Sequence, residues 1–404
     1  MSGLPARVSG RPTGASHYSL DRFDEIAGAL EGAAAAIAKL SAVLAGHPLI
    51  PAWIWRSRLE AVRRQAAADG LSIDPWHLAA IIEGVRFRMD RATTIIDRGA
   101  IFEAARHALS LWRWFVEPDE VQMEATRRAA ATLAATQSAS PLIAAAFGAR
   151  TWLDEHGGGA QDGDRPALRA ALAQYWQDRG LIPLAVPLLS GTRAFGRAAP
   201  RPVELWVAAF LHALAEEAEA GLTLLRLLER EWVAARSAVR GRRRDSHAVA
   251  AVDVMAAAPV VSATSLACGL RIAIKNAAAL LDSFVAQGIA IEVTHRSKRR
   301  LFGLRHLAPL RAEALPPRHA RRAGGVTRRG AKARRRAVAL PGLEYGDSGN
   351  PAPPLCGRLA PSPAERKEFE LTGLDEWMRE ADQVIRRAQA TLDRFTQTPR
   401  PAAT

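Results

Sequence analysis

The sequence feature that most constrains the fold of this chain is the apolar spacing between Val261 and Gly288. It predicts two short helices separated by a turn at Leu270 and Ile272, because apolar residues recur at the spacing of a helix face. The expected buried positions of these helices are Leu266, Ala267, Ala277, Ala278, Leu281 and Phe284. Gly288 is predicted to end the second helix, where a left-handed residue is favoured.

A basic hairpin is predicted directly after these helices. Residues 289–294 and 300–304 have the composition of strands, and His295-Arg-Ser-Lys-Arg299 has that of a turn. A further helix is expected to start near Ser246 and to end before Pro259. Three helices followed by a hairpin predict a winged helix-turn-helix over residues 246–305.

This pattern resembles the winged-helix domains of bacterial regulators. The resemblance implies that the second helix of the pair enters the major groove of DNA. The residues on its exposed N-terminal face would then be Ile274, Lys275, Asn276 and Ala279. Asn276 would read an adenine edge, and Lys275 would reach a guanine edge or a phosphate. The sugar-phosphate backbone or the minor groove would be contacted by the wing residues Arg296, Lys298, Arg299 and Arg300.

The net charge of +14 is concentrated in one part of the chain. Residues 241–340 contain 20 Lys and Arg against 5 Asp and Glu, whereas the rest contains 35 against 36. Such a concentration is typical of proteins that neutralise DNA phosphates, and the arm 318–336, with nine Arg and Lys, would add sequence-independent affinity. Two alternatives stay open, a basic surface that is merely solvated and a winged helix that binds protein.

The rest of the chain is predicted to be mainly α, because alanine is abundant and β-branched runs are rare. Helices are predicted over residues 20–44, 51–68, 75–82, 100–116, 118–136, 165–179 and 203–238. The predicted organisation is a disordered lead (1–16), a helical domain (17–240), the winged helix-turn-helix (246–312), a basic flexible linker (313–361) and a C-terminal amphipathic helix (362–398).

The helical body resembles the Fic-domain proteins, which transfer AMP to hydroxyl side chains. Ala79-Ala-Ile-Ile-Glu83-Gly84 stands where many of them carry an inhibitory Ser-x-x-x-Glu-Gly motif. Gly180-Leu-Ile-Pro-Leu-Ala-Val-Pro-Leu-Leu-Ser190 and the order of Trp206, Phe210 and a long helix echo later segments of that family. Glu83 is expected to be buried and hydrogen-bonded to an arginine such as Arg86.

The Fic catalytic motif itself is not preserved. In that family His-Pro-Phe-x-x-Gly-Asn-Gly-Arg supplies a histidine base, a metal-binding acid and a phosphate-binding helix start. Here His156 is too far from the later residues to serve as that base, so no catalytic residue is predicted. The remnant of a nucleotide site would be Asp162, Gly163, Arg165 and Arg169. The alternative is a Gly-rich loop capped by Asp164 before a helix.

We therefore expect a DNA-binding protein that acts on double-stranded DNA as a transcriptional regulator, not as an enzyme. Its helical body would serve for homodimerisation or effector sensing. The alternatives are a diverged Fic-type AMP transferase and a nucleoid or plasmid-maintenance protein of low sequence specificity. The architecture is also similar to an uncharacterised bacterial family with a C-terminal helix-turn-helix, which implies no activity.

Composition predicts a cytoplasmic, nucleoid-associated protein without cofactor or metal. Cys268 and Cys356 have neither metal-site spacing nor the pattern of a disulfide framework, which fits a reducing compartment. No signal-type apolar block follows the start of the sequence. The longest apolar stretch, Leu181–Leu189, is about half a membrane span, so no membrane partner is expected.

Overall fold

The computed structural model describes residues 15–75, 78–79, 83, 95–156, 163–239, 247–294 and 300–308, and this part of the chain is mainly helical, as the composition predicts. The chain divides into two compact units. The first contains Met1–Ala45, Ala68–Gly70 and Pro118–Thr223, and the second contains Gly46–Ala67, Leu71–Glu117 and Leu224–Thr404. Segments from both halves of the sequence thus belong to the second unit.

The described helices are α1 (Ala15–Leu44), α2 (Ile50–Ala68), α3 (Ile95–Val116), α4 (Glu120–Ala135), α5 (Pro141–Glu155), α6 (Asp164–Asp178), α7 (Val203–Val239), α8 (Ala248–Ala257), α9 (Ala263–Leu270) and α10 (Ile274–Ala286). A short 3-10 helix, Thr192–Phe195, precedes α7. The strands are β1 (Val261–Ser262), β2 (Ala290–Glu292) and β3 (Leu301–Leu304).

Local sequence signals explain where several helices begin. Asp119 and Gln122 form a capping box before α4, in which each side chain accepts a hydrogen bond from the other's main-chain N–H. Pro141 occupies the first turn of α5, where its missing N–H costs no hydrogen bond. Gly163 precedes α6 with a φ of 79°, a conformation that glycine adopts without strain. Residues outside the apolar faces therefore determine where these three helices begin.

The core of the first unit is built around aromatic side chains. Trp206 stacks on Phe210 with ring centroids 5.3 Å apart, and its indole N–H donates a 2.9 Å hydrogen bond to the carbonyl of Ala194. Trp176 donates to the carbonyl of Leu189. Because indole groups need a hydrogen-bond partner when buried, these two tryptophans fix the loop between α6 and α7 while they fill the interior.

A buried carboxylate ties the same loop to α7. Glu217 accepts hydrogen bonds from the main-chain N–H groups of Ser190, at 2.9 Å, and Thr192, at 2.8 Å. The hydroxyl of Thr192 donates to it at 2.7 Å. Between them, Gly191 has a φ of 60°, and a Cβ on it would lie 2.6 Å from the ring of Phe210. Only glycine fits this position without strain.

The second unit has an apolar core between α2 and α3. Trp55 and Trp112 meet edge to face with centroids 5.0 Å apart, among buried alanine, leucine, valine and isoleucine side chains. A smaller cluster joins Ala79 to Val260, Val293 and Leu301. Residues before position 80 therefore contribute to the packing of the segment after position 259.

The three strands of the second unit form an antiparallel sheet in the order β1-β3-β2. Val261 pairs with Phe302 on one side of β3, and Glu292 pairs with Phe302 on the other. Because β1 immediately precedes α9 and β2 follows α10, the pairing of both strands with β3 links the start of α9 to the end of α10.

The structure differs from the sequence predictions in two respects. Helix α5 is not among the predicted helices, because its first nine residues, Pro141 to Ala149, contain no polar side chain that would mark a solvent-facing side. Within α1, Asp24–Leu44 is long and apolar enough to cross a membrane, and 28% of its most apolar stretch is buried; core helices and signal sequences can have the same length and composition.

Several predicted segments lie outside the described residues. They are residues 1–14 of the lead, most of the helix predicted over 75–82, the linker 313–361 and the C-terminal helix 362–398.

Candidate nucleic-acid interface

Helices α9 and α10 form a sharp corner in the second unit. Three residues, Arg271, Ile272 and Ala273, separate them, and the chain direction changes by 114° between the two helices. Helix pairs that bind DNA through a helix-turn-helix meet at about 90–120° across a turn of three or four residues. Main-chain hydrogen bonds stabilise the corner. In one of them the N–H of Ile272 donates to the carbonyl of Ala267 at 2.9 Å.

The turn includes a residue in an unusual conformation. Arg271 has a φ of 53°, and among the described residues it is the one residue other than glycine with a positive φ. This left-handed conformation costs an ordinary L residue about 1 kcal/mol, and glycine is the usual choice at a helix C-terminus. Its side chain is exposed and has no ion pair in the described part of the chain. The sequence prediction did not include this residue in the site.

The N-terminus of α9 is capped by two serines and a buried carboxyl group. Ser262 accepts from the main-chain N–H of Ser265 at 3.0 Å, which completes a capping box. The hydroxyl of Ser265 also donates to Glu83 at 2.6 Å. Burial raises the pKa of Glu83 to about 7, and the hydrogen bonds from the two serines oppose that rise. Glu83 therefore contacts α9, and the predicted partner Arg86 lies outside the described residues.

The four predicted base-facing residues share an exposed face at the start of α10. Ile274, Lys275, Asn276 and Ala279 are all exposed, whereas Ala277, Leu281 and Phe284 are buried. Ile274 is 55% exposed. This face therefore has a cation, an amide and an apolar group available to a partner.

The hairpin of β2 and β3 extends beyond its paired residues. Val293 N–H donates to the carbonyl of Leu301 at 2.8 Å, and Leu301 N–H donates to the hydroxyl of Thr294 at 3.0 Å. Three of the predicted wing cations, Arg296, Lys298 and Arg299, lie in the segment 295–299, outside the described residues. The described hairpin base fixes where that segment begins and ends.

Arg300, the fourth predicted wing cation, has partners within the unit. Its guanidinium donates to Glu292 on β2 at 2.8 Å and to Asp282 on α10 at 2.7 Å, and it lies over the ring of Phe302. The hydrogen bonds that Arg300 donates, first to Glu292 and then to Asp282, raise its pKa. Arg300 thus joins the hairpin to α10 by pairing with a carboxylate on each.

Charge pairing leaves this part of the chain with unpaired cations. Within residues 247–294 and 300–308, Asp282 and Glu292 are paired with Arg300, and Asp253 is paired with Arg236 at 3.4 Å. No ion pair of the described residues involves Arg271, Lys275 or Arg305. The cationic groups that remain are therefore not offset by a neighbouring carboxylate.

A buried guanidinium anchors this arrangement to α2. Arg56 donates to the carbonyls of Ala256 at 2.7 Å, Leu307 at 2.9 Å, Met255 at 3.2 Å and Ala258 at 3.2 Å. Three of these carbonyls end α8, where the helix dipole favours a cation. Burial lowers the pKa of Arg56 to about 9, so the group is still charged at neutral pH. The sequence carried no signal for this contact.

The residues of the predicted nucleotide-site remnant are arranged differently, in the first unit. Arg169 is fully buried and donates two hydrogen bonds of 3.1 Å to the two carboxylate oxygens of Asp69. Arg165 approaches the same carboxylate at 3.4 Å. Gly163 is the N-cap residue before α6, and Asp162 lies outside the described residues. Asp69, which the sequence prediction did not include, therefore occupies the guanidinium groups that would face a phosphate.

Comparison with known proteins does not add to this description. No protein family model matches the chain, and no curated protein matches it either. In the part of the chain that the structure describes, no cluster of His, Cys, Asp and Glu side chains has the grouping of a metal site.

Proposed function

We propose that the chain is a DNA-binding protein, and that α9, α10 and the β2–β3 hairpin form a winged helix-turn-helix. The observation that carries the proposal is the 114° corner between α9 and α10 together with the exposed residues at the start of α10. The helix order and the antiparallel β1-β3-β2 sheet are those expected of a winged helix. A transcriptional regulator in the cytoplasm, associated with the nucleoid, is the role that fits best.

In this proposal α10 enters the major groove from its N-terminal end. Asn276 has the amide needed to contact the N6 and N7 atoms of adenine, and Ile274 can pack on a thymine methyl group. Lys275 reaches a guanine edge or a phosphate. Arg296, Lys298 and Arg299 contact the DNA backbone or the minor groove from the wing, whereas Arg300 holds the hairpin against α10.

No described contact favours the alternative Fic-type AMP transfer, because Asp69 pairs with both Arg165 and Arg169. The low-specificity alternative uses the same surface and differs only in its dependence on base sequence. In the proposed regulator, the helical body serves for dimerisation or for sensing an effector.

The test begins with the full chain and a pool of random DNA duplexes. Duplexes retained by the protein are sequenced, and fluorescence anisotropy then measures the affinity of the enriched duplex and of a scrambled duplex at matched salt. Specific binding predicts a clear enrichment and tighter binding of the enriched duplex. Equal affinities for the two duplexes would instead support the low-specificity alternative, and no binding at 0.1 M salt would refute the proposal.

Two amide residues near opposite ends of α10 provide a matched comparison. Asn276→Ala removes an amide from the proposed groove-facing end, and we expect it to lower discrimination at one base position by about 10-fold, since a bidentate contact contributes about 1–3 kcal/mol. Gln287→Ala removes an exposed amide just after the other end of the helix, where its partner is Ser283. Gln287→Ala is expected to leave both affinity and discrimination unchanged.

A further inference from the structure

We infer that Arg271 contacts a DNA phosphate and thereby positions α10 in the groove. This inference rests on the proposed function and adds a residue that the sequence prediction did not include. It concerns the turn between α9 and α10, immediately before the exposed face that starts at Ile274. In a helix-turn-helix that docks by the N-terminal end of its second helix, this turn lies at the edge of the groove, beside the sugar-phosphate backbone.

The first argument is the identity of the residue at this position. Arg271 ends α9 with a φ of 53°, which glycine adopts without strain and which an arginine adopts at a cost. Its main-chain N–H completes the end of α9 by donating to the carbonyl of Cys268 at 3.1 Å, a bond that glycine would make equally well. Within the described residues, the turn therefore needs the backbone conformation of Arg271, whereas its guanidinium forms no ion pair.

The second argument is electrostatic. The carboxylates of Asp253, Asp282 and Glu292 form ion pairs with Arg236 or Arg300, and none of them forms one with Arg271. The side chain of Arg271 is exposed and forms no ion pair with the described residues. Lys275, in the first turn of α10, is likewise exposed and forms no ion pair with the described residues. Two free cations thus flank the start of α10, which is the arrangement that a phosphate backbone recognises.

The same unit provides a control cation. Arg305 is also exposed and without an ion pair among the described residues. Its Nη1 atom would lie 3.2 Å from a Cβ built on Gly288, so it lies at the C-terminal end of α10. Because the 13 residues of α10 span about 20 Å, Arg305 is too far from the groove-facing end to share the phosphates that Arg271 would contact.

The experiment measures DNA affinity of the full-length protein as a function of salt, by anisotropy with a labelled duplex. The logarithm of the association constant falls linearly with the logarithm of the salt concentration, and each lost phosphate contact makes this slope less steep by about 0.9. One lost contact corresponds to about 8-fold weaker binding at 0.1 M salt. We expect this change for Arg271→Gly and Arg271→Asn, without a change in base preference. Arg271→Lys, which retains the charge, and Arg305→Gln are expected to keep the wild-type slope.

Thermal unfolding of each variant separates loss of contact from loss of structure. Because glycine and asparagine tolerate a positive φ, the unfolding midpoint of both variants is expected to equal or exceed that of the wild type. A wild-type slope in Arg271→Gly and Arg271→Asn would overturn the inference and leave the proposed function standing. An equal loss in Arg305→Gln would also overturn it, and a wild type that binds no DNA would overturn both.

Discussion

The Nε atom of Arg56 donates a 2.7 Å hydrogen bond to the main-chain carbonyl of Ala256, which is 200 residues further along the chain. The same guanidinium reaches three more buried carbonyls, at Met255, Ala258 and Leu307. One side chain of α2 therefore holds both the end of α8 and the segment after β3. The candidate DNA-binding elements depend on a helix from the first sixth of the sequence.

Replacement of Arg56 tests this dependence. Arg56→Ala leaves the four carbonyls without their donor, and each buried acceptor without a partner costs about 1–3 kcal/mol, so we expect a loss of at least about 3 kcal/mol. Arg64→Ala, on the same helix, removes only a partly exposed pair with Glu60 and should cost less than about 1 kcal/mol. Urea unfolding of both variants measures the difference. Equal midpoints for the two variants would contradict the prediction.

The buried carboxyl group of Glu83 predicts an unusual dependence of stability on pH. Its pKa in the folded protein, about 7, exceeds its ordinary value of 4.5. Between these pH values the folded chain holds a proton that the unfolded chain has released, so the stability from this group is present below pH 4.5 and is lost as the pH rises to 7. Glu83→Gln keeps an acceptor for Ser265 and should abolish this loss.

Glu60 supplies the control for that measurement. Burial raises the pKa of Glu60, but the combined effect of Arg63 and Arg64 lowers it by more, so the net shift of the pKa is downward. Its contribution is therefore lost as the pH falls, opposite in sign to that of Glu83. Urea unfolding between pH 4 and pH 8 should give a difference between wild type and Glu83→Gln that grows with pH, and one between wild type and Glu60→Gln that shrinks at low pH. A constant offset for Glu83→Gln would argue against the prediction.

The ion pair of Asp69 and Arg169 should be expensive to break. Burial lowers the pKa of Arg169, and Asp69 opposes this by stabilising the charged guanidinium. Asp69→Asn leaves that buried cation without its counter-charge, and we expect a loss of about 3–5 kcal/mol. Glu216→Gln breaks the exposed pair with Arg193 in the same unit and should cost less than about 1 kcal/mol. Calorimetric midpoints provide the comparison, and similar shifts for both variants would contradict it.

Two glycines separate backbone strain from steric overlap. Gly191 and Gly180 both have a positive φ, but only at Gly191 does an added Cβ overlap the ring of Phe210. Gly180→Ala should therefore cost about 1 kcal/mol from strain alone. Gly191→Ala carries the additional displacement of a buried ring, and overpacking of this kind typically costs a further 1–3 kcal/mol. If thermal unfolding gives the same midpoint for the two variants, the close approach of Phe210 to Gly191 does not add to the stability cost of the substitution.

Local patterns in the sequence were sufficient for most of the body helices. Helix α2 was predicted from Pro51 and the stop at Asp69-Gly70, and the structure has it over Ile50–Ala68. Helix α5 was missed because its first nine residues, Pro141 to Ala149, have no polar side chain to mark the periodicity of a helix face. The Ser140-Pro141 pair before it is a helix-start signal that would have found it.

Long-range contacts were not predictable from the sequence in the same way. Nothing near Arg56 indicates four carbonyl partners around positions 255–307, and nothing near Arg169 indicates Asp69. The left-handed conformation of Arg271 was also hidden, because a position that favours glycine is occupied by arginine. The predicted base-facing residues depend on one helical face and could be chosen from local spacing, whereas the role of Arg300 depends on Asp282 and Glu292 across the fold.

The reach of Arg56 also has a consequence for biosynthesis. Its most distant acceptor, the carbonyl of Leu307, follows it by 251 residues. At synthesis rates of roughly 5–20 residues per second, α2 leaves the ribosome roughly 10–50 s before that acceptor does. During this interval the guanidinium remains hydrated and the second unit remains unfinished. This contact of the second unit therefore forms only after residue 307 has been synthesised.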